Sequence, residues 1–191
     1  LAAILSLMPI GNPLLIKTGL SLSTAALILS ISEKVNAESF EFYFNRAYEK
    51  YFEGDYYGAI SDYTKAIEVN PKDSKTYFNR ALAKTKIDDN YGAISDYDKA
   101  ISLDSNYWKA YYNRGNRKRT LNDHYEAIAD YYKTIKINPK FAKAYINLSV
   151  SKEALGYLDG ACEDAKKGVS LIINDDNLKN ENQKWINGNC D

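Results

Sequence analysis

The six residues GAISDY occur at 58–63 and again at 92–97, and a close variant, EAIADY, occurs at 126–131. Successive copies are 34 residues apart. A fixed period of roughly 20 to 50 residues is typical of repeat proteins, in which each unit packs only against its neighbours. The spacing therefore predicts a chain built from stacked units of one kind.

Extending this period in both directions divides the chain into four blocks, at 40–73, 74–107, 108–141 and 142–175. Each block predicts two helices joined by a short turn. The turns are EGD at 53–55, IDD at 87–89, LND at 121–123 and LGY at 155–157. In the first and third blocks the second helix should end near an Asn-Pro pair, because proline cannot continue a helix.

Small residues and tyrosines recur at fixed positions, counted from 1 within each block. Small residues at positions 8 and 20 let the two helices approach closely; they are Ala47, Ala81, Gly115 and Ser149, then Ala59, Ala93, Ala127 and Ala161. Tyrosine recurs at positions 4, 18 and 24, and we expect these rings to lie mostly in the core. They are Tyr43, Tyr77, Tyr111 and Tyr145, then Tyr57, Tyr91 and Tyr125, then Tyr63, Tyr97 and Tyr131.

These positions resemble those of the tetratricopeptide repeat family, whose period is also 34 residues. The resemblance covers about residues 40–175 and implies an all-α fold, a right-handed superhelical solenoid of antiparallel helix pairs. The phrase NRA or NRG followed by GAIxDYxKAI looks like the variant common in cyanobacterial members. The fourth block departs from the pattern, since Ala165 replaces the aromatic residue and Ile173 replaces proline. Such a departure is typical of a terminal repeat that meets a cap.

The resemblance also implies that the first helix of each block lines a concave groove for an extended segment of a partner protein. Positions 2, 5, 6, 9, 12 and 13 share the face that packing leaves free. The predicted groove residues are Phe44, Asn45, Tyr48, Lys75, Phe78, Asn79, Lys109, Tyr112, Asn113, Asn116, Arg119 and Asn147, and the same face carries Tyr51, Phe52 and Leu82. The predicted groove is therefore aromatic in the first block and basic in the later blocks.

Asparagine recurs at position 6 of every block, as Asn45, Asn79, Asn113 and Asn147. A carboxamide both donates and accepts hydrogen bonds, so this row can pair with the backbone of a bound peptide. The alternative is that the row caps a neighbouring helix or bridges adjacent repeats.

Co-chaperone members of the family clamp a C-terminal carboxylate with basic and Asn side chains. Only Asn79 and Lys109 match that pattern here, whereas Phe44, Tyr48 and Asn113 depart from it. The basic run NRGNRKR at 113–119 is expected to be a solvated face, or else a surface for an acidic peptide.

Charged residues recur at position 7 (Arg46, Arg80, Arg114), position 11 (Lys50, Lys84, Lys118, Lys152) and position 23 (Asp62, Asp96, Asp130, Asp164). We expect ion pairs between helices. Near-identical carboxylates are poorly suited to separate acid and base roles, and the single His124 lacks the partners of a catalytic triad. One His and two Cys also exclude a multi-His or a four-Cys metal site. We therefore expect no enzyme activity, no metal site and no cofactor.

The C-terminal segment 176–191 is expected to cap the last repeat. A disulfide between Cys162 and Cys190 would hold it there, with Leu178, Trp185 and Ile186 covering the apolar end. The absence of a CxxC motif favours a structural role over redox chemistry. Two free thiols are the alternative.

Residues 1–37 are mostly apolar or small and contain no acidic residue before Glu33. The segment ends in VNA at 35–37, which resembles a signal-peptidase site. We expect a removed signal peptide and export to the periplasm, the thylakoid lumen or the medium. The alternatives are a retained membrane anchor, and a regulatory repeat segment of a longer protein.

The 25 basic and 25 acidic residues balance, which argues against broad binding to nucleic acid or to a membrane surface. The sequence therefore predicts a scaffold, expected to be monomeric, that binds a protein or peptide. The alternative is an assembly or chaperone-like factor for an exported or membrane complex, such as a photosynthetic complex, acting through the convex face or the tail.

Overall fold

The computed structural model describes residues 22–172 and 175–190, and this part of the chain consists of nine helices without any strand. The helices are α1 (Leu22–Glu53), α2 (Tyr56–Val69), α3 (Ser74–Lys86), α4 (Asn90–Leu103), α5 (Trp108–Thr120), α6 (His124–Ile137), α7 (Ala142–Ala154), α8 (Leu158–Leu171) and α9 (Asp176–Asn189). They pack as four consecutive pairs, with α9 against α8. The predicted all-α solenoid of antiparallel helix pairs is confirmed.

Each pair turns at a residue in the left-handed backbone region. These residues are Gly54, Asp88, Asn122 and Gly156, each in the middle of a predicted turn. Glycine adopts this conformation without steric cost, and Asn and Asp tolerate it better than most residues. The next residue caps the second helix in three repeats, where the carboxylates of Asp55, Asp89 and Asp123 accept a backbone N–H of the first turn.

The core follows the predicted small positions and the tyrosines of position 24, whereas at position 4 Tyr77 is buried and Tyr43, Tyr111 and Tyr145 are only half-buried. Every alanine at position 20 is fully buried, and so are the tyrosines at position 24. Gly115 shows how tight the packing is, because a Cβ added there would lie 2.9 Å from the ring of Tyr131. The expectation for position 18 is wrong: Tyr57, Tyr91 and Tyr125 are all strongly exposed. They lie two residues after the N-cap of each second helix, and the hydroxyl of Tyr125 lies 3.5 Å from that of Tyr157.

Helix α1 begins well before the first block. The sequence between Leu22 and Phe40 contains no proline or glycine, so nothing in it ends a helix. Most side chains from Ala26 to Ala37 are exposed. Over the described residues, no helix combines the length and the apolar character that crossing a membrane requires. Residues 1–21, the rest of the predicted signal peptide or anchor, lie outside the described residues.

The tail caps the last pair as predicted. Ile186 is buried against Ile146, Ala165 and Val169, and Trp185 packs on the same cluster. The indole N–H of Trp185 also donates to the Glu153 carboxylate at 2.9 Å. Leu178 is only half-buried, so its contribution is smaller than expected.

A disulfide joins Cys162 in α8 to Cys190 just after α9, with their Cα atoms 5.7 Å apart. The predicted pairing is therefore present. It fixes the far end of α9 to the helix that α9 covers.

Candidate partner-binding groove

The first helices of the four pairs form one layer of the solenoid. Helix α1 contacts α3 directly, and α5 contacts α7, in addition to their contacts with second helices. We call the free face of α1, α3, α5 and α7 the groove. It carries the predicted partner-binding residues.

An aromatic hollow opens in the groove between the first two repeats. Its volume is about 210 Å³, and it is lined by Tyr48, Tyr51, Phe52, Tyr63, Asn79 and Leu82. Tyr48 and Phe52 are 50% and 69% exposed, with ring centroids 4.7 Å apart. This lining is mostly apolar and includes Asn79, so the hollow suits an apolar side chain whose backbone needs a hydrogen-bond partner.

Two predicted groove residues belong mainly to the core. Phe78 is only 8% exposed and packs between the rings of Tyr97 and Tyr107. Phe44 is half-buried and meets the edge of Tyr63. These rings support the groove from beneath and offer little surface to a partner.

The asparagine row divides into two environments. In the fourth repeat the Asn147 amide donates to the hydroxyl of Tyr112 at 3.1 Å and to the carboxamide oxygen of Asn116 at 2.8 Å. The same Asn116 oxygen accepts the Tyr131 hydroxyl at 2.9 Å. Burial raises the pKa of Tyr131 to about 12, so this hydroxyl keeps its proton and remains a donor. Asn147 therefore bridges two repeats.

The other asparagines make no such bridge within the described residues. The Asn113 amide donates to the backbone oxygen of Lys109 in its own helix at 2.8 Å. Asn45 is exposed, and Asn79 is half-buried and lines the aromatic hollow. Of the four, Asn79 is best placed to meet a peptide backbone.

The basic part of the groove contains Lys75, Lys109 and Arg119. Both lysines are exposed, and the Lys109 ammonium lies 5.6 Å from the ring centre of Trp108. Arg119 is half-buried, and its Nε atom is buried without an acceptor among the described residues. The groove is aromatic in the first repeat and positively charged in the later ones.

The predicted ion pairs between helices are present in all four repeats, and we call them the ion-pair ladder. Arg46, Arg80 and Arg114 each bind the carboxylate of position 23 through two nitrogens. The lysine at position 11 adds a further contact to the same carboxylate. The hydrogen bonds from Arg46 hold the pKa of Asp62 at about 2 although the group is buried. The carboxylates of the ion-pair ladder therefore bind the arginines and lysines of their own repeats and hold the helices together.

The sequence interpretation missed two features of the groove. Tyr63 lines the hollow, although its repeat position marks it only as core. In the second repeat the Tyr97 hydroxyl is buried without a hydrogen-bond partner in the described part of the chain. The equivalent Tyr131 has Asn116 to donate to, but Leu82 occupies that place in the second repeat. The sequence carries a signal for this difference: beside the tyrosine of position 24, position 9 is Leu82 in the second block and Asn116 in the third.

Across residues 22–172 and 175–190, no cluster of three or more His, Cys, Asp and Glu side chains is arranged to hold a metal ion.

The helix pairs of this chain superpose on those of solved repeat proteins. A crystal structure of MamA superposes with a TM-score of 0.69 at 26% sequence identity, covering 86% of this chain and 95% of that chain. The TPR domain of Arabidopsis OM64 superposes with a TM-score of 0.60 at 27% identity, covering 62% and 98%. The first TPR of Spaghetti (RPAP3), bound to the HSP90 peptide SRMEEVD, gives 0.61 at 28% identity, covering 62% and 94%.

A search of curated proteins by sequence gave no match. The family model for the tetratricopeptide repeat matches residues 40–73, 74–107 and 109–141, which is more than half of the 191 residues. The fourth pair, α7 and α8, is not matched but packs in the same way. The chain belongs to the tetratricopeptide repeat family.

Proposed function

We propose that this protein is a scaffold that binds an extended segment of another protein in the groove formed by α1, α3, α5 and α7. Repeats of this family typically act as interaction modules rather than as enzymes, and one relative at 28% identity is solved with a bound peptide. The aromatic hollow carries the proposal. Exposed rings that converge on a concave surface stabilise a complex by burying apolar area against a partner side chain.

The hollow also explains why rings are exposed at this place. Tyr48 and Phe52 face solvent although the second helices behind them are well packed. An exposed aromatic cluster beside a free carboxamide is typical of a binding surface, where rings provide contact area and the amide fixes the backbone of the ligand. The specific partner would be selected by the side chain that fits this hollow.

The test is affinity capture from an extract of the source organism, with the full chain as bait and bound proteins quantified by mass spectrometry. The hollow variant combines Tyr48→Ala with Asn79→Ala. The control variant combines Tyr57→Ala with Tyr91→Ala, which removes exposed rings from second helices. Circular dichroism should show equal helicity for all three. We expect partners held by the wild type and the control to be depleted at least about tenfold by the hollow variant.

Retention of every partner by the folded hollow variant would contradict groove binding. Loss of a partner in the control variant alone would instead support the alternative of an assembly factor that uses its convex face. One observation favours that alternative: Tyr57, Tyr91 and Tyr125 form a row of exposed rings at equivalent positions of successive repeats. The capture experiment therefore separates the two functions.

We further propose that the protein is exported, with residues 1–37 removed as a signal peptide. The cleavage-like VNA sequence supports this, and so does the exposure of most side chains from Ala26 to Ala37. The described core contacts of α1 begin with the Phe40–Phe44 stack and Ala47, so cleavage would leave them intact. Mass spectrometry of the native protein should find Glu38 at the N-terminus. An intact N-terminal segment in the membrane fraction would favour the anchor instead.

A further inference from the structure

Two exposed tyrosines meet where the third repeat joins the fourth. Tyr125 is the second residue of α6, and Tyr157 directly precedes α8 as its N-cap residue. Their hydroxyl oxygens lie 3.5 Å apart, while the two residues remain 66% and 52% exposed. Among the described residues, no other two tyrosine hydroxyls are in hydrogen-bond contact. We call these two residues the tyrosine pair.

Tyr157 stands where the other three repeats place an aspartate. Asp55, Asp89 and Asp123 cap α2, α4 and α6 through their carboxylates, whereas α8 begins without a side-chain cap hydrogen bond. A side chain that cannot cap weakens the start of a helix. Burial does not offset this loss, because about half of Tyr157 is exposed. A residue that departs from the local rule without a gain in packing is typical of a functional position.

The other repeats show what Tyr157 adds. Tyr57 and Tyr91 occupy the same repeat position as Tyr125 and are even more exposed. The residue at the place of Tyr157 in the repeat that follows each of them is an aspartate, Asp89 or Asp123. Only at the junction of the third and fourth repeats does the 34-residue pattern therefore set one phenol against another.

The backbone fixes both members of the tyrosine pair. The N–H of Tyr157 donates to the backbone oxygen of Lys152 at 2.9 Å, and its carbonyl accepts the N–H of Ala161 at 2.9 Å. Tyr125 lies in the first turn of α6, which Asp123 caps. The two phenols are therefore held near each other by the fold.

A contact between hydroxyls suits the oxidative coupling of two phenols. In each ring the ortho carbons are bonded to the carbon that carries the hydroxyl, so the contact also brings ortho carbons of the two rings near each other. A dityrosine joined at these carbons holds its two hydroxyls side by side, as the tyrosine pair already does. Groups that are held in such a geometry react far faster than groups that must first meet. Exposure also gives an oxidant in solution access to both rings.

We propose that the tyrosine pair is a site of oxidative modification, at which a peroxide-dependent one-electron oxidant joins Tyr125 to Tyr157 as a dityrosine. The inference does not depend on the proposed groove function, because neither residue belongs to the groove. The product would link α6 covalently to the start of α8 and fasten the third repeat to the fourth.

The reaction consumes one peroxide molecule for each cross-link. A haem peroxidase removes one electron and one proton from each phenol, and these electrons and protons reduce the peroxide to two molecules of water. The two phenoxyl radicals then form a carbon–carbon bond between ortho carbons. The hydrogen on each of these carbons leaves as a proton and each oxygen takes up a proton, so both hydroxyls are restored.

The test oxidises the full chain at low protein concentration with hydrogen peroxide and a catalytic amount of a haem peroxidase. The monomeric product is isolated in denaturant, its dityrosine fluorescence is measured, and its tryptic peptides are analysed by mass spectrometry after disulfide reduction. The pair variants are Tyr125→Phe and Tyr157→Phe, each of which removes one hydroxyl and keeps the ring. The control variant combines Tyr57→Phe with Tyr91→Phe, which removes two exposed phenols from the repeat position of Tyr125. Circular dichroism should show equal helicity for all of them.

We expect the wild type and the control variant to yield a monomer in which peptide 120–133 is joined to peptide 153–166. Its mass should be lower than the sum of the two peptides by two hydrogen atoms, and fragmentation should locate the bond at Tyr125. Each pair variant should yield at least about tenfold less dityrosine in the monomer, because its remaining exposed phenols are not held together. Oxidation in urea should remove this preference, since the preference depends on the fold.

Equal yields of dityrosine in the monomers of the wild type and Tyr157→Phe would overturn the proposal, and so would a monomer cross-linked between other tyrosines. The absence of cross-linked monomer under conditions that couple free tyrosine would overturn it as well. None of these results would bear on the groove function, which the hollow variant tests in the capture experiment.

Discussion

One repeat position is occupied by Asn79, Asn113 and Asn147. The side chains of the preceding repeat decide whether each carboxamide has a hydrogen-bond partner within the protein. Asn147 faces Tyr112 and Asn116, which offer a hydroxyl and a carboxamide oxygen. The corresponding residues before Asn113 are Phe78 and Leu82, which offer no acceptor. The sequence alone left the row open between peptide binding and bridging, because a repeat position does not specify the partner across the interface.

We expect Asn147→Ala to lower the free energy of unfolding by about 1 to 2 kcal/mol, because it removes two hydrogen bonds in a half-buried network. Asn79→Ala should lower it by less than about 0.5 kcal/mol, since the side chain lines an open hollow and makes no bridge like that of Asn147 among the described residues. Urea denaturation followed by circular dichroism measures both values. Equal losses in the two variants would show that Asn79 is also structural.

At the scale of helices, the sequence predicted most of what the structure contains. The 34-residue period, the turn residues and the Asn-Pro pairs located the eight helices of the four pairs, because each signal acts locally on the backbone. The start of α1 was not predicted, since the repeat pattern ends at residue 40 although helix-compatible sequence continues upstream. Helical character and repeat membership are separate properties, and the 34-residue period reports only the second.

The exposed tyrosines show a second limit of sequence interpretation. Tyr91 and Tyr97 both recur at the 34-residue interval in the same kind of helix, yet Tyr97 is fully buried and Tyr91 is 76% exposed. Periodicity demonstrates that a position is equivalent in each repeat, and it does not show which side of the helix is covered. The hollow was similarly hard to predict as a cavity, because it depends on how Tyr51, Phe52 and Tyr63 of one repeat meet Leu82 of the next.

At the scale of the whole molecule, stability comes from contacts between neighbouring pairs. Each pair packs on the next, and among the described residues α9 packs chiefly on the last pair. In such an array each unit depends on its own stability and on its interfaces, so a change at one end acts mainly on that end. The cap is held by few contacts, chiefly Ile186, Trp185 and the Cys162–Cys190 disulfide.

We therefore expect reduction of the disulfide to loosen the C-terminal end without unfolding the groove of the first two repeats. The bond closes a loop with a sequence separation of 28, and in the chain-entropy model its loss costs about 3 to 4 kcal/mol. Hydrogen–deuterium exchange of the oxidised and reduced full chain should show lost protection in α9, α8 and α7, with α2, α3 and α4 unchanged. The double variant Cys162→Ala with Cys190→Ala should show the exchange pattern of the reduced protein under both oxidising and reducing conditions. Uniform loss of protection would mean that the solenoid unfolds as one unit, and no loss would mean that the packing of Trp185 and Ile186 holds the cap without the bond.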